Sequence, residues 1–169
     1  MRIVLTILTG FLLLVLESVF VGTFHIDTFL PHVACGLMIY LALQKELFEG
    51  GIEATLLAWT ADLLGGAPPG VIALGLALIF FTIRLTAQRL SYRSVLVRAA
   101  LSIVVAAALQ TIMLLILLVV LGDLSLIATY LLAALPSALT APIGLFLTWG
   151  PLSRIDGLFQ QRHKTLLKE

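Results

Sequence analysis

From Ala99 to Leu121 the chain runs 23 residues in which only Ser102, Gln110 and Thr111 are polar. A helix that crosses a bilayer needs about 20 predominantly apolar residues, and this run supplies them without a single charge. The rest of the chain agrees with it. Of 169 residues, 61% are hydrophobic and 11% charged, less than half the roughly 25% charge of an ordinary soluble domain. Too few polar residues remain to cover a soluble surface, and a disordered chain has the opposite composition. The sequence reads as an integral membrane protein.

Hydropathy and turn residues divide the chain into six expected spans. The first runs from about Ile3 to Gly22, the second from about Val33 to Phe48, and a weaker third from about Gly51 to Leu64. The fourth follows Ala67-Pro68-Pro69-Gly70 and reaches about Arg89; the fifth is Ala99–Leu121; the sixth runs from about Leu126 to Trp149. Pro31 and Pro69 mark starts, because proline is tolerated in a first helical turn. Six spans use about 120 residues and leave about 49 for loops and tails, too few for a soluble domain. The expected fold is an all-α six-helix transmembrane domain over residues 1–150. A short basic amphipathic tail, 151–169, is expected to lie on the cytoplasmic leaflet, with Leu152, Ile155, Phe159 and Leu166 near one face. The first span carries Glu17 and no small-residue cleavage site follows it, so it reads as a retained span rather than a signal peptide.

Six spans also put all 10 Lys and Arg residues on one side. Arg2, Lys45, the group Arg84, Arg89, Arg93 and Arg98, and the terminal Arg154, Arg162, Lys164 and Lys168 share it, which predicts cytoplasmic termini. A net charge of +1 argues against nucleic-acid binding, and the lone Cys35 cannot form an internal disulfide.

The scarce polar residues then become informative. Asp62 ends the third span before a Gly- and Pro-rich re-entry, Gly65-Gly66-Ala67-Pro68-Pro69-Gly70. It is expected either to be hydrated or to accept from backbone amides of the next helix, or else to make a polar contact within the bundle or to a partner. Glu17 sits about 7.5 Å inside its span and is either exposed at the interface, protonated, or paired with another helix. Gln110, in the middle of span five, reads as a helix–helix hydrogen bond. Small pairs four apart, Ala54/Ala58, Ala73/Ala77 and Ala134/Ala138, allow close helix approach. Pro136 and Pro142 are expected to kink span six. His25, Asp27 and His32 share one outer loop, but their spacing fits no standard metal site, so no metal is expected there. No motif for nucleotide, zinc or serine-hydrolase chemistry occurs, and scattered single acids predict no enzyme, no catalytic residue and no cofactor.

In order and spacing these features resemble the MreD family of bacterial rod shape-determining membrane proteins. The resemblance rests on Leu16-Glu17 near the outer end of the first span and on Leu30-Pro31-His32 opening the second. It rests most specifically on a D-L-x-x-G-x-x-x-G-like turn, here Asp62, Leu63, Gly66 and Gly70. Glu17 stands where Gln is common in the family, and His32 where an Asp or Asn often follows the Pro. The resemblance implies a non-enzymatic scaffold of the elongation complex in the bacterial cytoplasmic membrane. Such a scaffold binds MreC and, through it, acts with MreB filaments, RodA and a class B penicillin-binding transpeptidase. Glu17, Pro31, Asp62, Gly66 and Gly70 would be its partner-binding or structural residues. The family is also similar in architecture to the substrate-binding S-components of energy-coupling-factor vitamin transporters, which supply the alternative reading.

Overall fold

Each apolar run between turn residues forms one helix. The computed structural model describes residues 2–24, 33–65, 68–87, 94–121 and 125–166, with the side chains of 24, 117, 120–121, 125–135 and 158–166 excepted. Six helices and no strand occur among them: α1 (Arg2–Phe24), α2 (Val33–Gln44), α3 (Leu47–Leu64), α4 (Val71–Ala87), α5 (Val95–Leu121) and α6 (Ser125–Leu166). The expected all-α, six-helix architecture is therefore present. Two helices, over Arg2–Thr23 and Val95–Ile116, are long and apolar enough to cross a membrane; α2 and α4 are apolar but shorter.

Several boundaries differ from the sequence reading, among them the start of α5, at Val95 rather than Ala99. The second helix does not reach Phe48 but stops at Gln44, and α3 begins at Leu47 rather than Gly51. Between them Lys45 donates its amide back to Leu41, closing the last turn of α2, while Glu46 is extended (φ −66°, ψ 156°). At the other end of the chain, α6 runs for 42 residues through Pro136, Pro142 and Pro151. The tail expected from residue 151 is thus a continuation of α6 as far as Leu166, and Leu152 is packed into the core rather than laid on a surface. One helical stack explains both: Leu152 and Asp156 lie one turn apart, on a side that the bundle still covers.

The arrangement is a ring with a centre. Helices α1, α3, α4, α5 and α6 touch in that order, and α6 closes on α1; α2 touches all five and fills the middle. Accordingly α2 is buried on every side, from Val33 and Cys35 through Ala42. Each ring helix buries one face and turns the other outward. The outer faces are apolar: Val4, Leu8, Leu12 and Leu16 on α1, and Leu74, Leu78, Phe81 and Leu85 on α4, are exposed at helical spacing.

Small residues let α2 sit so deep. A Cβ on Gly36 would lie 2.7 Å from Thr148 Oγ1, 2.8 Å from the Gly144 carbonyl oxygen and 2.9 Å from Leu145 Cα, two of them backbone atoms of α6. The close neighbours of a Cβ on Gly10 or Gly75 are instead the ends of leucine side chains, Leu57 and Leu109, at 2.9 Å, which can move. Gly36→Ala is therefore expected to force α2 and α6 apart and cost about 1–3 kcal/mol, read as a lowered Tm of the purified protein. The corresponding Gly75→Ala change should cost less, because Leu109 can rotate away. Of the alanine pairs singled out in the sequence, Ala54 and Ala58 are buried, and Ala138 packs with Ala106 and Ala141 between α5 and α6. Gln110 Nε2 donates to Ser137 Oγ at 3.3 Å, linking α5 to α6 as expected.

Candidate functional site

A helix enclosed on all sides leaves its first amides and last carbonyls without water, so other groups must satisfy them. The ring does this for α2. At its start, Glu17 of α1 accepts from the Val33 amide at 3.0 Å. At its end, Arg84 of α4 donates to the Ala42 carbonyl at 3.1 Å. Glu17 is thus neither a free interfacial carboxylate nor paired with a side chain: its partner is a helix N-terminus, where the backbone dipole favours negative charge.

Asp62 performs the same task for α4. Its Oδ2 accepts from the Gly70 amide at 2.6 Å, and its Oδ1 accepts from Ile72 at 2.9 Å and Ala73 at 3.2 Å. Three of the amides that no intrahelical carbonyl can reach are therefore held by one buried carboxylate from the preceding helix. Gly70 has φ of +90°, a conformation that side chains rarely adopt. It turns the chain so that its own amide and the first turn of α4 converge on Asp62. The sequence expectation that Asp62 accepts from the next helix holds in detail. Pro31, Gly66 and the loop residues His25, Asp27 and His32 lie outside the described residues.

The opposite end of the bundle carries a charged cluster. Asp156 of α6 is its hub: Arg2 Nε donates to Oδ1 at 2.8 Å, Tyr40 OH to Oδ2 at 2.5 Å, and Lys45 Nζ to Oδ1 at 3.2 Å. Lys45 also donates to Thr6 Oγ1 at 3.3 Å and forms an ion pair with Glu53 at 3.6 Å. The side chains of Lys45 and Glu53 are completely buried. Among the described residues, Arg2 and Lys45 thus meet Asp156 and Glu53 in one cluster of opposite charges. Burial pushes the Asp156 carboxyl up, but hydrogen bonds from Arg2 and Tyr40 and the Lys45 charge outweigh it and hold the group below the usual aspartate range. Beside the cluster, Tyr40 meets Trp149 edge to face at 5.2 Å, and Arg98 stacks over the same indole at 4.2 Å.

Sequence reading treats Arg2 and Lys45 only as markers of topology and gives Glu53 and Asp156 no role. One signal does exist: Glu53 is an acid inside an apolar segment, and such acids require partners. Its partner Lys45 lies eight residues earlier, across a helix break that composition does not reveal. Chemically, the clamps at both ends hold helix termini and neutralise charge. Among the described residues, no group of three or more His, Cys, Asp or Glu side chains is placed to hold a metal ion. No known family model, curated protein or solved structure matches the chain.

Proposed function

We propose that this chain is a multi-pass scaffold of the bacterial cell-elongation complex in the cytoplasmic membrane, binding MreC as the MreD-like turn implies. The observation that carries this reading is the Asp62–Gly70 joint. The stretch on which the resemblance is most specific is also a built structural element, with Asp62 holding the start of α4 and Gly70 in a conformation suited to glycine.

Membrane residence is supported by the outward faces of the ring. Exposed Phe48, Ile52, Leu56, Trp59 and Leu63 continue along α3 the apolar surface of α1 and α4, far more than a soluble monomer exposes as one patch. The short α2 meets no lipid in such a bundle, so its 12 residues, about 18 Å, need not match the bilayer. Arg2, Lys45, Arg84 and Arg98 gather at one end of the helices, which supports cytoplasmic termini. At the other end Glu17 and Asp62 are already committed to helix starts, so the working surface is the apolar perimeter, where a partner's transmembrane helix would pack.

Depleting the protein in a rod-shaped host is expected to give round cells, and affinity purification should recover MreC. Rods of normal shape after complete loss would sink the proposal. A tightly held vitamin in the purified protein, together with recovery of a transporter coupling subunit, would replace it with the S-component reading.

A further inference from the structure

The charged cluster contains an asymmetry that a static clamp does not need. Both Glu53 carboxylate oxygens are buried and, among the described residues, accept no hydrogen bond; there Oε1 forms an ion pair with Lys45 at 3.6 Å. Lys45 in turn stands 3.2 Å from Asp156. A charge-assisted N–H···O bond normally closes to about 2.7–2.9 Å, so the ammonium, which also donates to Thr6 at 3.3 Å, is loosely bonded to Asp156 and stands off from Glu53. One carboxylate, Asp156, belongs to α6. The other, Glu53, belongs to α3. From these distances we propose that Lys45 is a two-position ammonium that allows the cytoplasmic end of α6 to leave the bundle and return.

In the closed position Lys45 shares Asp156 with Arg2 and Tyr40, and α6 is seated through Leu152 and Asp156. The neighbouring Ser153, Arg154 and Gly157 already face outward. When this end lifts, Asp156 departs and Lys45 closes the remaining gap of under about 1 Å onto Glu53. Arg2, a third exposed, accompanies Asp156 to the surface or is hydrated where it stands. Without Glu53 the same motion would strand a buried ammonium, which is strongly unfavourable. Glu53 therefore makes release possible, and its lack of hydrogen bonds in the closed state is the counterpart of that role. The inference stands on the cluster geometry and does not depend on the scaffold reading.

Hydrogen exchange followed by mass spectrometry on the full chain in nanodiscs tests this, because a helix end lifted off its bundle frays and exchanges. In Glu53→Gln, Lys45 has only Asp156 left as a counter-charge, so the amides of Leu152–Gly157 should exchange about tenfold more slowly or slower still. In Asp156→Asn they should exchange faster. If Glu53 only neutralises the cluster, Glu53→Gln loosens it and exchange over Leu152–Gly157 rises; that result, or no change, overturns the proposal. The unmodified protein gives a second reading should the variant fail to fold. Its Leu152–Gly157 amides should exchange while those of α2 remain protected, and exchange of both together would refute an independent motion of α6.

Discussion

Lys45→Met is expected to lower stability by about 3–5 kcal/mol, the usual cost of leaving a fully buried charge without its partner. Glu53 is then an anion with no cation in contact, and Asp156 keeps only Arg2 and Tyr40. Dispersion contacts of the methionine recover part of the lost packing but none of the electrostatics. The double variant Lys45→Met/Glu53→Leu should regain most of the loss, since replacing both members of a buried pair by apolar groups is often neutral. Thermal unfolding of the purified variants in one detergent provides the comparison. A single variant as stable as the parent, or a double variant no better than the single, would show that the pair is not what holds this end of the bundle.

Asp62→Ala is expected to cost about 3 kcal/mol, toward the low end of about 1–3 kcal/mol for each of three amides that lose their acceptor. Water can reach some of these amides near the membrane surface, which keeps the figure from being larger. Asp62→Asn should fall between the parent and the alanine variant, because its single carbonyl oxygen can serve Ile72 and Ala73 while the Gly70 amide goes unmet. Circular dichroism during heating gives the ranking. On the proposed scaffold function, recovery of MreC separates the two roles open to Asp62. If the Asn variant stays folded and still retrieves MreC, the residue is a joint; if it stays folded and loses MreC, the carboxylate is a partner contact.

The features readable in the sequence are those whose partners lie nearby in the chain. Asp62 and Gly70 are eight residues apart, and the intervening Gly and Pro residues leave the acid few directions other than toward α4. Gln110 is readable because an amide in the middle of an apolar helix has to find another helix. The break at Lys45-Glu46 is harder: hydropathy continues into Leu47-Phe48, and only the buried contacts of Lys45 explain why the chain turns there. Hardest is Asp156, whose partners Arg2, Tyr40 and Lys45 are 154, 116 and 111 residues away. A sequence gives the sign of each charge and its place along the chain, but not which helix faces which. That information resides in the ring order, which follows from packing around α2 and leaves no local trace.

The closed ring also governs how the molecule can be made. Helix α2 emerges second, yet four of the five helices that enclose it, α3, α4, α5 and α6, emerge after it. Until α6 settles between α5 and α1, one flank of α2 has no protein neighbour, and the Tyr40 hydroxyl and the Lys45 ammonium lack the carboxylate of Asp156. The first and last helices thus complete each other, and the bond between Arg2 and Asp156 fastens the seam. Without α6 the ring has no closure between α5 and α1, so the other helices leave α2 with an open flank rather than forming a smaller version of the same fold.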